Sequence, residues 1–216
     1  NHRFITNGQA IALTPRFSPD YKSIVYVSYI ERRARVYVYD IASGRQRLVT
    51  ESPNQTFSPR WSPNGKTILY SMSVGGNTDL YSVSAAGGGT PVRLTDSPAI
   101  ETGGSYSPDG SKIVFESDRS GKQQIYVVNA DGTAQQRISF GNGNYATPEW
   151  SPRGDLVAFT KIGGGAFRIG VMSPSGGGEK LLTNSWQDEA PTWSPNGRVI
   201  QFFRTYQGSG KTSVMQ

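Results

Sequence analysis

One pentapeptide recurs five times along the chain. It reads Phe17-Ser18-Pro19-Asp20-Tyr21, Trp61-Ser62-Pro63-Asn64-Gly65, Tyr106-Ser107-Pro108-Asp109-Gly110, Trp150-Ser151-Pro152-Arg153-Gly154 and Trp193-Ser194-Pro195-Asn196-Gly197. Repeats spaced by about 40–45 residues belong to propeller blades or to paired-helix arrays. The content of one period decides between them. Asp109-Gly110 is a hairpin signal, and Ile113-Val114-Phe115 follows as an apolar run. Ser117-Asp118-Arg119-Ser120-Gly121 has turn chemistry, and Ile125-Tyr126-Val127-Val128 is a second apolar run. After Asn129-Ala130-Asp131-Gly132, the more polar Gln136-Arg137-Ile138-Ser139 suits an outer edge.

The other periods follow the same plan, with middle strands at Ile24–Val27, Ile68–Tyr70, Leu156–Phe159 and Val199–Phe203. Apolar residues at helical spacing are missing, and Gly or Pro interrupts every stretch long enough for a helix. Each period therefore reads as a four-stranded antiparallel unit. One such sheet cannot bury both faces, whereas units stacked around a ring can. The expected fold is all-β: a β-propeller of four-stranded antiparallel blades, about five blades' worth, in one domain over residues 1–216. Repeats start near 17, 61, 106, 150 and 193, so 1–16 and 193–216 are partial blades. The segment Asn1–Gly8 matches Gln46–Thr50 as an outer strand. Two readings stay open: a five-bladed ring completed by that strand, or an excerpt of a larger ring. The aromatic before each Ser-Pro reads as a wedge between blades, which gives Trp61, Trp150 and Trp193 structural roles. No Trp-Asp dipeptide occurs, which sets the WD40 class aside.

Composition excludes much chemistry. The chain has no cysteine and one histidine, His2. Disulfides, thiolate metal sites, imidazole clusters and Cys nucleophiles are excluded, and a Ser-His-Asp triad would depend on a residue beside the terminus. The net charge of +6 is scattered. Its densest cluster, Arg32, Arg33 and Arg35, reads as a solvated loop entering a strand, not as a nucleic-acid surface. No apolar run is long enough to insert into a bilayer. Asn1 is not a start residue, so the sequence reads as a mature or trimmed product. Gly208-Ser209-Gly210-Lys211-Thr212 lacks the earlier glycine and the following helix of a phosphate loop, so it reads as a hairpin turn. Glu101, Asp188 and Glu189 recur at equivalent places and could form an acid–base pair or hold a hard cation. Nothing marks either use. The expectation is a non-enzyme with no cofactor and no metal.

The units "TPRFSPD", "SPRWSPNGKTILY", "YSPDGSKIVFESDRSGKQQIYVVNADG" and "APTWSPNG", with "RVYVYDIASGRQRLVT" and "QQIYVVNADGTAQQRIS", resemble the repeats of the TolB family across essentially the whole chain. That family consists of periplasmic propeller proteins of the Tol–Pal cell-envelope system. The resemblance implies a six-bladed parent behind a smaller α/β domain, periplasmic location, and a role in outer-membrane integrity and cell division. It implies binding of the peptidoglycan-associated lipoprotein Pal at the channel mouth, and contact with TolA only through an N-terminal segment outside these residues. The alternative is the propeller of a peptidase-type hydrolase that gates substrate access.

In a propeller, the segments preceding each aromatic-Ser-Pro lie at one mouth of the channel. Here they vary while the motifs after them repeat, as recognition loops on a rigid frame do. The candidate partner-binding residues are Gln55, Thr56, Phe57 and Ser58, then Glu101 and Thr102, Asn144, Tyr145 and Thr147, and Asp188 and Glu189. Phe57 and Tyr145 are the expected aromatic anchors, and the polar residues form a rim.

Overall fold

The structure is a computed structural model that describes residues 4–6, 8 and 10–216. His2, with Asn1, Arg3 and Asn7 of the expected Asn1–Gly8 outer strand, lies outside the described residues, and Phe4–Thr6 and Gly8 form no strand, so that expectation does not hold for the described half of the segment. The chain divides into two compact units, 1–104 and 105–216.

The first unit holds two antiparallel sheets. The first has the order β1 (Ala12–Phe17), β2 (Ser23–Ser28), β3 (Arg35–Asp40), β4 (Gln46–Leu48). The second has the order β5 (Gln55–Trp61), β6 (Thr67–Val74), β7 (Asn77–Ser84), β8 (Val92–Arg93). A 3-10 turn at Ile30–Arg32 leads into β3, so the arginine cluster is the loop entry expected. Strand β9 (Glu101–Tyr106) carries the chain into the second unit. It heads a sheet with β10 (Lys112–Ser117), β11 (Gln124–Asn129) and β12 (Gln136–Arg137). Next come β13 (Asn144–Trp150), β14 (Val157–Gly163), β15 (Ala166–Met172) and β16 (Lys180–Leu181). The last strands are β17 (Gln187–Trp193), β18 (Ile200–Thr205) and β19 (Thr212–Met215). Gly208–Thr212 closes the β18–β19 hairpin, with the Tyr206 amide donating to the Lys211 carbonyl at 2.9 Å.

The Ser-Pro-Asx-Gly motif builds three of the β1–β2-type hairpins from local bonds, and Ser18-Pro19-Asp20-Tyr21 and Ser151-Pro152-Arg153-Gly154 are its variants. The Ser107 hydroxyl donates to Asp109 at 2.6 Å, and Asp109 accepts the Ser111 amide at 3.0 Å. Ser107 Oγ in turn accepts the Lys112 amide at 2.9 Å. Ser62 and Asn64 repeat the first contact at 2.8 Å, as do Ser194 and Asn196. Gly110 takes φ 72°, a left-handed value that glycine adopts without penalty. Tyr21 occupies the same place at φ 58°, against the steric preference of an L-residue.

Strand periodicity then sorts the core. Val25, Val36 and Val38 of the first sheet pack against Ile68, Tyr70, Tyr81 and Val83 of the second, while Tyr26, Tyr37 and Tyr39 gather on the opposite face. In the second unit Val114, Ile125 and Val127 pack against Trp150, Phe159 and Met172. Buried on both faces, the middle strands read as unbroken apolar runs, which made them visible in the sequence. Trp61 Nε1 donates to the Arg16 carbonyl at 3.2 Å, and Trp193 Nε1 to the Glu149 carbonyl at 3.1 Å. Both indoles thus tie a blade to the preceding one, as the wedge reading expects.

A parallel bridge also joins consecutive sheets. The Ala34 carbonyl accepts the Thr56 amide at 2.9 Å, and the Gln123 carbonyl accepts the Tyr145 amide at 2.9 Å. At the equivalent residues the Phe167 amide donates to the Trp186 carbonyl at 2.9 Å, and the Thr78 amide to the Ala99 carbonyl at 3.5 Å. Each is one half of the bond pair by which a residue of one strand straddles its parallel neighbour. These stacked antiparallel sheets are the blades of a β-propeller.

Candidate protein-binding site

The segments expected as recognition loops are strands. Ala12–Phe17, Gln55–Trp61, Glu101–Tyr106, Asn144–Trp150 and Gln187–Trp193 are the first strands of their blades, each ending on the aromatic of the motif. A shared irregularity disguises them. Three residues before each aromatic, φ is positive: 52° at Thr14, 53° at Ser58, 68° at Gly103, 50° at Thr147 and 55° at Ala190. Proline follows at Pro15, Pro59, Pro148 and Pro191. The register slips at this point, between Phe57 and Arg60, between Ala146 and Glu149, and between Glu189 and Thr192. This is a β-bulge, which re-aims the strand and its amides. The Thr147 amide donates to Glu116 Oε2 at 2.7 Å, and the Ala190 amide to Thr160 Oγ1 at 3.1 Å. Those acceptors lie on β10 and β14 of the preceding blades.

Burial divides the candidate residues. Thr56, Glu101, Tyr145 and Asp188 are each 0% exposed. They share one position, next to the parallel bridge, where the side chain turns into the seam between blades. They are therefore not presented to a partner, and Tyr145 is a core residue instead of a surface anchor. Gln55 and Thr147 are exposed, whereas Phe57, Ser58, Thr102, Asn144 and Glu189 are half-buried.

The buried members carry most of the electrostatics. Arg204 grips Asp188 with two bonds, Nε to Oδ1 at 2.7 Å and Nη2 to Oδ2 at 2.9 Å. Burial alone would raise the Asp188 pKa, but the Arg204 bonds, with Thr183, outweigh it and hold the carboxyl below its usual range. A carboxylate so held is a poor general acid. Tyr145 packs on Phe159, with ring centroids 5.3 Å apart, and donates its hydroxyl to Glu179 Oε2 at 2.5 Å. Lys161 closes the group by pairing with Glu179 and lies 4.9 Å from the Tyr145 ring centroid. Burial, then the bond to Glu179, raises the Tyr145 pKa.

Among the described residues no cluster of three or more His, Cys, Asp or Glu is placed to hold a metal ion, and no helix is long and apolar enough to cross a membrane. Near the candidate positions, the sequence reading overlooked Glu179 and Lys161, which lie 34 and 16 residues beyond Tyr145 and carry no local signal. It also overlooked Arg16, Arg60, Glu149 and Thr192, whose shared place before the aromatic is a signal that the repeat itself offers.

Comparison with known proteins identifies the frame. Residues 1–216 match the TolB beta propeller domain family. The Tol-Pal system protein TolB 1 of Novosphingobium aromaticivorans is 68% identical over 216 residues, 100% of this chain and 48% of that protein. The Tol-Pal system protein TolB of Gluconobacter oxydans is 48% identical over 192 residues, 89% of this chain and 42% of the relative. The crystal structure of TolB from Acinetobacter baumannii superposes with a TM-score of 0.85 at 27% identity, over 98% of this chain and 53% of that one. The chain thus spans about half the length of the curated relatives it matches. With the blade architecture, the repeated bulge and a family match over its full length, the chain belongs to the TolB beta propeller domain family.

Proposed function

We propose that this chain acts as a non-catalytic, protein-binding part of a periplasmic Tol–Pal system, and that its partner is the lipoprotein Pal. In this reading residues 1–216 work as one propeller domain that supports outer-membrane integrity and cell division. The observation that carries it is the 68% identity, over the whole chain, to a Tol-Pal system protein TolB 1. The first strands fit the role. Their bulges fix the backbone, and the residues around them differ from blade to blade, so each blade offers a different set of side chains on the same local frame. The proposed contacts are the candidate residues that reach solvent: Gln55, Phe57, Ser58, Thr102, Asn144, Thr147 and Glu189. Thr56, Glu101, Tyr145 and Asp188 support them from beneath. Recognition then rests on shape and hydrogen bonds, with Phe57 as the remaining aromatic contact.

Calorimetric titration of the folded chain with the soluble domain of Pal from the same source tests this reading. Saturable one-to-one binding at micromolar affinity or better is expected. A folded chain that releases no heat and shows no complex by sedimentation would overturn it.

A further inference from the structure

Beside the Ser-Pro hairpins of the first unit, a cleft of about 630 Å³ opens between its two sheets. Sites for small molecules usually measure about 300–1,000 Å³. Arg47 of β4 enters the cleft from the first sheet. Trp61, at the end of β5, and Asn64 and Lys66 of the following hairpin enter from the second. Arg47 reaches the turn after β7, where a Cβ on Gly87 would stand 3.6 Å from its Nη1.

Both cations lack an anion. Among the described residues neither the Arg47 nor the Lys66 side chain has an ion pair or a hydrogen bond. Burial lowers the Arg47 pKa, and no negative group offsets that loss of water. The one carboxylate on the wall, Asp20, is engaged within its own hairpin. It accepts the Ser18 hydroxyl at 2.6 Å and the Lys22 amide at 3.1 Å.

The second unit builds the same cleft, of about 660 Å³, around Trp150, but there the charges balance. Arg47 pairs with Val38 across the strands, and the residue in its place is Gln136, which pairs with Val127. Lys66 follows Trp61 by five residues, as Asp155 follows Trp150. Asp155 Oδ2 lies 3.5 Å from Arg153 Nη2, so the arginine of this cleft has its anion. With Lys112 and Asp109, the second cleft has two cations and two carboxylates, against two cations and one carboxylate in the first. The fold therefore forms the cleft without the unpaired cations, and their presence in the first unit calls for a ligand.

We propose that the first-unit cleft binds a small organic anion, a carboxylate or phosphate carried on a ring-sized apolar body. Arg47 takes the oxyanion through its forked N–H donors, and Lys66 adds a point charge. The half-buried Trp61 indole takes the body. This inference stands apart from the Pal reading and uses none of its contact residues.

Benzoate, phenyl phosphate and benzyl alcohol are titrated into the folded chain, with NMR of the Trp61 indole N–H and the Arg47 Nε–H. At least one of the two anions should shift both signals saturably, and the preferred one distinguishes a carboxylate from a phosphate. Benzyl alcohol should shift neither, and the Trp150 indole signal should stay in place. Arg47→Gln, which copies Gln136, should weaken anion binding at least tenfold. Lys66→Gln serves as a second variant and should weaken it in the same direction. Silence of both signals toward both anions overturns the site, as does equal binding of benzyl alcohol, an equal response at Trp150, or unchanged affinity in the folded variants. Acetate or inorganic phosphate bound as tightly as the ring-bearing anions would mean a site for simple ions only and would overturn the organic ligand.

Discussion

Tyr145 separates a residue that holds the frame from one that meets a partner. Its ring is 0% exposed, packs on Phe159 and carries the Lys161 ammonium at 4.9 Å from its centroid. Its hydroxyl donates to Glu179 at 2.5 Å. Tyr145→Phe removes only that bond. A hydrogen bond to a charged group contributes about 1.5–3 kcal/mol. Glu179 keeps Lys161 as a partner and its side chain is 27% exposed, so the lower end applies, about 1.5 kcal/mol. For a chain of this size the midpoint of thermal unfolding should fall by about 3–6 °C. Tyr145→Ala also empties the ring site and should cost about 3–5 kcal/mol. Urea and thermal unfolding measure both losses, and a Pal titration of the folded Phe variant measures the interface. Stability should fall while affinity stays within about twofold. A Phe variant as stable as wild type that binds Pal tenfold more weakly would refute the assignment of Tyr145 to the core.

Other consequences are equally specific. A Cβ at Gly170 would lie 2.5 Å from Phe159 Cζ and 2.7 Å from Cε2, so Gly170→Ala should destabilise by about 1–3 kcal/mol. Adding Phe159→Leu should recover part of that loss, and strictly additive costs by urea unfolding would refute the contact. Tyr21 holds φ 58° where other hairpins have glycine, so Tyr21→Gly should be neutral or stabilising by up to about 1 kcal/mol in the same assay, and clear destabilisation would refute the reading. The Ser107 hydroxyl, with the Ser111 amide and hydroxyl, lowers the Asp109 carboxyl to about 2. Its contribution to stability is present above the ordinary aspartate value and is lost as pH falls toward 2. NMR titration of the Asp109 carboxyl carbon should give that low value, and a value near 4 would mean that the serine bonds do not persist in solution.

What the sequence revealed and what it hid each have a physical reason. The Ser-Pro-Asx-Gly hairpin closes its bonds within five residues, as from Ser107 Oγ to the Lys112 amide, so its chemistry is written locally and repeats visibly. The middle strands, buried on both faces, announce themselves as apolar runs. The first strands are hidden because their bulge places a left-handed residue before a proline, at Ser58-Pro59 and Thr147-Pro148, and this resembles turn chemistry. The burial of Tyr145 was hidden for a different reason. The seam that covers it belongs to the preceding blade, and the carboxylate that accepts its hydroxyl lies 34 residues away. Variation among the first strands was legible, but which alternate side chains face solvent depended on the register that the bulge resets.

The most direct test of the account is a hydrogen-exchange and amide-shift footprint of Pal on the folded chain. Protection should fall on the first strands around Gln55–Ser58, Thr102, Asn144–Thr147 and Glu189, and should spare the Ser-Pro hairpins at Pro63–Lys66 and Asp109–Ser111. A footprint centred on those hairpins, or binding that leaves every first strand unprotected, would contradict the claim that the bulged first strands form the partner surface.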